Sequence, residues 1–221
     1  TYTCILKACG SIGALYKGEQ IHEEIVNRGL LEKNIVLATA LVDMYCKCHA
    51  LEKAREVFEN LPIQSIVSWS SLIAGYAQLG QAYAALKLYR RMRAEGIVAD
   101  LVIYTILLTA CCHVGLVKEG ETLFSEMCGV YCLMPTQEHY TCMVDLYGRA
   151  GHFSKAKTFL DKVPHCGHLP LFMSLLGSCR EWRDVQLGRW AFEQSVLFGE
   201  ECGAAYVCMG NIFTAAGMQM E

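Results

Sequence analysis

The chain has 221 residues, of which 53% are hydrophobic, and its 19 basic and 22 acidic residues give a formal net charge of −3 at pH 7. So small a net charge excludes a strong overall attraction to nucleic acid, membranes or an acidic partner, and any such affinity has to come from a local surface. The sequence has no run of eighteen apolar residues, so we expect no helix that crosses a membrane.

The chain contains 13 cysteines. Such a number is typical of a small secreted domain held by disulfides, but many of these cysteines fall at core positions of predicted helices, as do Cys9, Cys111, Cys142 and Cys179. We therefore predict reduced core residues rather than disulfide partners.

In chain order, the first two segments each predict a pair of short amphipathic helices. Residues 1–34 contain KACGSIGALYKGEQIH, in which Gly13 separates two helical patterns, and residues 35–65 contain TALVDMYCKC followed by AREVF. Two short helices cannot bury their apolar faces alone, so each pair predicts stacked neighbours.

Residues 66–100 give the clearest pair of helices. Val67, Leu72 and Tyr76 recur at helical spacing and predict an apolar face, and Gly80 interrupts the pattern where a tight turn is needed. This segment therefore predicts one complete helix-turn-helix unit.

The pattern then repeats at an offset of 102 residues. Identical residues recur at this spacing, as Tyr2 and Tyr104 do, over about 160 residues without a gap, which is a strong signal of internal repetition. Residues 101–136 and 137–168 therefore restart the cycle.

From residue 169 the pattern changes. The second helix of this segment is predicted to run to about Leu197, and a further helix is predicted from Ala205 to about Ala216. The chain starts within a repeat and stops where the partner of that last helix would begin, so we expect the intact protein to be longer at both ends. The predicted fold class is all-α, a right-handed α-solenoid superhelix of stacked helix-turn-helix repeats.

These repeats resemble the pentatricopeptide repeat family, and in particular its plant class, which alternates long, short and standard motifs. In order, the segments resemble a long motif (1–34), a short motif (35–65), a standard motif (66–100), and a further long (101–136) and short motif (137–168). Residues 169–221 resemble the C-terminal E-type extension of that class, through LLGSCR, DVQLGRWA and YVCMGNIFTAAG.

The resemblance implies a function and a location. Proteins of this class bind single-stranded RNA sequence-specifically in mitochondria or chloroplasts, with one repeat per base, and the extension marks factors that select cytidines for C-to-U editing. We expect a non-enzymatic recognition module whose extension recruits or supports a deaminase, in cis or in trans. Its long motifs are expected to contact accessory editing proteins. No cofactor, metal, membrane or small-molecule substrate is expected.

The resemblance also assigns base-reading residues. In the family the fifth and last residues of each motif discriminate the base, which here gives five pairs: Ser70 with Asp100, Thr39 with Ser65, Thr3 with Asn34, Thr105 with Thr136, and Thr141 with His168. The second residues Val36, Val67 and Val102 are the expected base-sandwiching residues, whereas Glu138 breaks this pattern.

The base opposite residues 66–100 can be predicted from the chemistry of Asp100. An ionised carboxylate only accepts hydrogen bonds, so it favours guanine and uracil, which offer N–H donors. The family pattern of a small hydroxyl residue with Asp favours guanine, which we expect here. Thr3 with Asn34 favours adenine in the same way, and the other threonines favour purines.

Each of these residues also has a plainer interpretation. Ser70 and Asp100 can be a solvated helix-start residue and an acidic linker residue. Val36, Val67 and Val102 can be ordinary core residues. The whole chain can also be a protein-binding α-solenoid like the tetratricopeptide proteins. The recurrence of a hydroxyl residue at the fifth position of five repeats favours RNA reading, because a peptide binder does not need it.

Two motifs suggest metal chemistry, and we reject both. His22-Glu23-Glu24 matches the H-x-E of zinc nucleobase deaminases, but those enzymes need a downstream C-x-x-C, which the sequence lacks. The same absence opposes the hypothesis that the chain is itself a deaminase. The run His-Cys-Gly-His at 165–168 has no complementary ligand set and is interpreted as a polar linker.

Overall fold

The computed structural model describes residues 2–31, 34–163, 168–198 and 203–218, and within these ranges the chain is entirely helical apart from turns and loops. The helices are α1 (Tyr2–Ile12), α2 (Leu15–Asn27), α3 (Ile35–Lys47), α4 (Leu51–Glu59), α5 (Ile66–Gln78), α6 (Ala82–Ala94), α7 (Leu101–Val114), α8 (Val117–Gly129), α9 (Gln137–Arg149), α10 (Phe153–Leu160), α11 (His168–Trp182), α12 (Val185–Phe198) and α13 (Gly203–Ala215).

The chain forms two compact units, Thr1–Ala110 and Cys111–Glu221. In the first unit, α1 packs against α3 and α3 against α5, while α2, α4 and α6 each pack against the helix before them. In the second unit, α9 packs against α11 and α11 against α13. Both units are therefore stacks of helical hairpins, in which each odd-numbered helix is the first helix of its hairpin.

A left-handed residue makes the turn inside each hairpin. Gly80, Gly115 and Gly151 have φ values of +72°, +76° and +71°, a conformation that glycine adopts without steric cost. His49 and Arg183 have φ values of 62° and 57° at the corresponding places in two other hairpins. The predicted break at Gly80 is confirmed.

The sequence offset of 102 residues is reproduced by the helix bounds. Helices α2 and α8 begin and end 102 residues apart, and so do α3 and α9. Helices α5 and α11 also begin 102 residues apart, at Ile66 and His168. The change of sequence pattern after residue 168 is thus not a change of architecture, because α11 and α12 form another hairpin in the same register.

Small residues let neighbouring hairpins approach closely. The fourth residue of the second helix is Gly18 in α2, Gly120 in α8 and Gly188 in α12. A Cβ on Gly18 would lie 2.5 Å from Sδ of Met44, and a Cβ on Gly120 would clash with Cδ2 of Leu146. The first helix of the following hairpin packs directly on these positions.

The core confirms most of the predicted buried residues, with two corrections. Leu72 and Tyr76 are buried, but Val67 is 59% exposed, because five and nine residues separate it from them and place it on the other side of α5. Cys9 is buried as predicted, whereas Cys142 is only partly buried.

The described cysteines are all free thiols. Burial raises the pKa of the Cys111 thiol and that of the Cys179 thiol to about 12 each, so both are protonated and unreactive at neutral pH. Within the described ranges, no helix is long and apolar enough to span a bilayer.

Replacement of Gly75 by alanine tests the close packing of α3 against α5. A Cβ at this position would lie 2.6 Å from Cβ of Cys46, so the two helices must separate. We expect Gly75→Ala to lower the free energy of unfolding by about 1–3 kcal/mol, measured by urea denaturation.

The matched control is Gly177→Ala in α11, where a Cβ meets nothing within 4 Å. This exchange should raise stability by about 0.5–1 kcal/mol through helix propensity alone. Equal effects of the two substitutions would contradict the packing described here.

Candidate nucleic-acid interface

The last residues of the repeats are N-caps of the following first helices. A helix start leaves backbone N–H groups without partners, and a side-chain oxygen just before it can accept from one of them. Oδ1 of Asn34 accepts from the backbone N–H of Leu37 at 3.0 Å, and Oδ1 of Asp100 accepts from that of Ile103 at 3.0 Å. Ser65 Oγ makes the equivalent bond at 3.3 Å.

Thr136 also precedes a first helix, and there the side chain of His139 completes a capping box. Nδ1 of His139, two residues into the helix, lies 3.1 Å from the backbone nitrogen of Thr136 and 2.7 Å from its hydroxyl oxygen. His139 is buried, so this arrangement is fixed by the packing around the ring.

The predicted fifth residues are all half-buried; four lie one turn inside their helices, and Thr3 is the second residue of α1. The hydroxyl groups of Thr105 and Thr141 donate to the carbonyl oxygens of Leu101 and Gln137, each at 2.9 Å. The hydroxyl of Ser70 has no hydrogen-bond partner within the described part of the chain.

The predicted second residues are strongly exposed. Val36, Val67 and Val102 expose 71%, 59% and 58% of their surface, although a valine loses free energy when it faces water. The interpretation of these residues as ordinary core is therefore wrong. Glu138, which holds this place in α9, is also exposed.

The packing of α1 against α3 brings Thr3 and Asn34 to one edge. Sγ of Cys48 lies 3.8 Å from the carbonyl oxygen of Cys9, so the C-terminal ends of these two helices are adjacent. Because the helices pack side by side, their N-terminal ends lie together at the opposite edge. Thr39 and Ser65 are related in the same way by the packing of α3 on α5.

His168 begins α11, which packs against the helix that carries Thr141. The structure places its backbone there, and its side chain lies outside the described part. Residues 164–167, which include most of the rejected His-Cys-Gly-His run, lie outside it as well.

Two basic residues that were not predicted from the sequence lie on the same helix faces as two of the fifth residues. Lys47 and Arg149 follow Thr39 and Thr141 by eight residues. In each helix an aspartate lies halfway, four residues from both, so all three side chains share one face of the helix. Lys47 bonds to Asp43 at 2.8 Å and Arg149 bonds to Asp145 at 2.9 Å. The i, i+4 spacing of an acidic and a basic residue is the sequence signal that could have identified each pair.

The acidic member of the second pair is held by its neighbours. Sγ of Cys112 lies 2.8 Å from Oδ2 of Asp145, and Oγ of Ser174 lies 3.3 Å from its Oδ1. Burial raises the pKa of the Cys112 thiol, so the thiol stays protonated and donates. Asp145 is therefore fixed, and it fixes Arg149.

His22 packs against Tyr45. Its Nδ1 lies 2.9 Å from the hydroxyl oxygen of Tyr45, and the two rings meet edge to face. Burial lowers the pKa of His22, so the ring is neutral at pH 7. No group of three or more His, Cys, Asp or Glu side chains that could hold a metal occurs among the residues the structure describes.

The stacked hairpins and their repeated first-turn residues define an α-helical repeat protein. Residues 64–113 match a sequence family described as "PPR repeat family", and residues 1–30, 36–62, 102–132 and 138–168 match "PPR repeat". The matched segments cover more than half of the chain, so it belongs to the PPR, or pentatricopeptide repeat, family.

Relatives in Arabidopsis thaliana carry the same name. A putative pentatricopeptide repeat-containing protein is 38% identical over 99% of this chain and 32% of its own length. A mitochondrial one is 36% identical over 99% of this chain and 39% of its length. A chloroplastic one is 36% identical over the whole chain and 26% of its length. The chain thus spans about a third of the relatives it matches.

Solved structures agree on the fold. The chain resembles the pentatricopeptide repeat protein PPR10 in complex with an 18-nt psaJ RNA element, with a TM-score of 0.75 and 17% identity over 97% of this chain and 32% of PPR10. A structure of PPR10 from maize gives a TM-score of 0.60 over 97% of this chain and 36% of PPR10. The fold is an all-α helical-repeat solenoid.

Substitution of Asp100 tests its capping role without any ligand. Asp100→Ala removes the acceptor of the Ile103 N–H bond and should lower the free energy of unfolding by about 1 kcal/mol. Asp100→Asn keeps an acceptor at the same place, so its stability should stay within about 0.5 kcal/mol of the parent. Thermal or urea denaturation measures both, and an Asn variant as unstable as the Ala variant would exclude the cap.

Proposed function

We propose that the chain binds single-stranded RNA sequence-specifically, with one repeat opposite one base. The observation that carries this proposal is the exposure of Val36, Val67 and Val102, each two residues after a capping side chain. An exposed apolar residue beside a polar one, repeated at the start of successive first helices, suits a flat base with a hydrogen-bonding edge. Single-stranded RNA offers both, since its bases are unstacked and their Watson–Crick edges are free.

The repeat 66–100 is the best-equipped reader. Oδ1 of Asp100 caps α7, and Oδ2 accepts no hydrogen bond from any described residue, so it is free to accept from a base. Together with the free hydroxyl of Ser70, this supports guanine at the position. Thr3 with Asn34 is proposed to favour adenine. The pairs Thr39 with Ser65, Thr105 with Thr136, and Thr141 with His168 complete the proposed set.

Affinity for the phosphate backbone of the RNA is proposed to come from the basic residues that share a helix face with the fifth residues. Lys47 and Arg149 keep 43% and 46% of their side-chain surface exposed while one acidic neighbour holds each in place. A phosphate can bind the open side of such a cation. Because the net charge of the chain is −3, this local charge and not a general field has to attract the RNA.

For the intact protein we propose the site-recognition part of an organellar C-to-U editing factor of the long, short and standard class. Relatives named as mitochondrial and chloroplastic support a location in one of these organelles. Residues 169–221 are proposed to be the E-type extension, which recruits or supports a deaminase in cis or in trans. Long motifs such as 101–136 are proposed to contact accessory editing proteins.

A binding selection against randomised single-stranded RNA tests the proposal, with the parent chain compared with Ser70→Asn. The longer amide fills space that the second ring of a purine needs, while Asp100 still requires an N–H donor. We expect the preference to switch from guanine to uracil at one nucleotide, by about tenfold.

The matched control is Ser125→Asn, the same chemical change on the exposed side of α8. It should leave every preference unchanged. If no RNA is enriched, or if Ser70→Asn changes nothing, a protein-binding solenoid becomes the better account.

A further inference from the structure

The four caps differ in the residue that packs beneath them. This residue is the third of the first helix, and it is buried in every case. Under Asn34 and Asp100 it is apolar, Leu37 and Ile103. Under the other two caps it is polar: Ser68 lies beneath Ser65, and His139 lies beneath Thr136.

An apolar third residue leaves part of the cap unused. Asn34 binds the helix through Oδ1 and keeps its NH₂ group, which only donates. Asp100 binds through Oδ1 and keeps Oδ2, which only accepts. Leu37 and Ile103 have no polar atom that could take up these remaining groups.

A polar third residue takes up the proton of the cap hydroxyl, which can then only accept. The backbone N–H of Thr136 donates to Nδ1 of His139, so this nitrogen carries a lone pair and no proton. With no proton on Nδ1, the Thr136 hydroxyl, 2.7 Å away, is a second donor that shares this lone pair. Ser65 likewise donates its hydroxyl proton to Oγ of Ser68 at 3.4 Å.

We infer that the third residue of each first helix decides how strongly the last residue of the preceding repeat can read a base. Leu37 and Ile103 leave Asn34 and Asp100 as strong readers. His139 occupies the proton of Thr136 and Ser68 that of Ser65, so these two hydroxyls can only accept. The nucleotides on both sides of the one opposite residues 66–100 are therefore weakly selected. This inference rests on the proposed function, and it makes His139 a positioning residue that touches no base.

The repeat itself suggests a test. Asn34 and Leu37 occupy the positions that correspond to Thr136 and His139 at the offset of 102 residues. In Thr136→Asn alone, the new NH₂ group donates to Nδ1 of His139 and stays unavailable. In the double variant Thr136→Asn, His139→Leu, the pair copies Asn34 with Leu37. RNA selection with the whole 221-residue chain compares the parent and both variants, and Ser70→Asn marks the register.

At the two nucleotides adjacent to the marked one, we expect the parent and Thr136→Asn to discriminate between bases by less than about twofold. At one of these two nucleotides, the double variant should discriminate between bases by about tenfold. A parent that already selects strongly at both, or a single variant as selective as the double variant, overturns the inference. Preferences absent at every nucleotide reject the proposed function instead.

A second variant gives a test that does not depend on correct folding of the double variant. Ser68→Ala removes the acceptor of the Ser65 hydroxyl with little change in volume, and thermal melting checks that all variants fold. Discrimination should rise at the nucleotide opposite residues 35–65 and nowhere else. No change there in a folded Ser68→Ala variant counts against the inference even if the double variant is unstable.

Discussion

Each hairpin depends on the packing of its first helix against the first helices of its neighbours. No single hairpin can bury both faces of so apolar a helix as α3 or α5, so the stack itself supplies the core. Gly75 and Gly18 show how close this packing is, because a single added carbon would clash with the neighbouring hairpin. The packed side of each first turn is buried, as Ser68 and Trp69 are, while Val67 on the opposite side faces water.

In the proposed function, the capping side chains at the starts of the first helices serve stability with one atom and recognition with another. Asp100 needs only one carboxylate oxygen to cap α7, and the other oxygen gives the repeat its hydrogen-bonding character. Asn34 divides its amide in the same manner, with the opposite polarity. A helix cap has a fixed geometry, so the remaining group is held in position and loses little conformational entropy when it meets a base.

The sequence predicted the hairpins and their glycine turns, because helical periodicity, glycine at left-handed turns and an offset of 102 residues are all local or repetitive signals. The exposure of Val67 was not predicted, although its separations of five and nine residues from Leu72 and Tyr76 place it on the other side of α5. The capture of Thr136 by His139 was also missed, because a histidine three residues after a threonine becomes a cap partner only when the ring is buried.

Amide chemical-shift mapping of the ¹⁵N-labelled chain with single-stranded RNA tests the central claim most directly, that the first turns of the first helices form the RNA-binding surface. We expect the amides of Val36, Val67 and Val102 to shift on addition of RNA, while those on the exposed faces of α2, α4 and α6 do not. Shifts confined to these second helices, with the three valines unaffected, would contradict the claim and would place the binding surface on the other side of the hairpins.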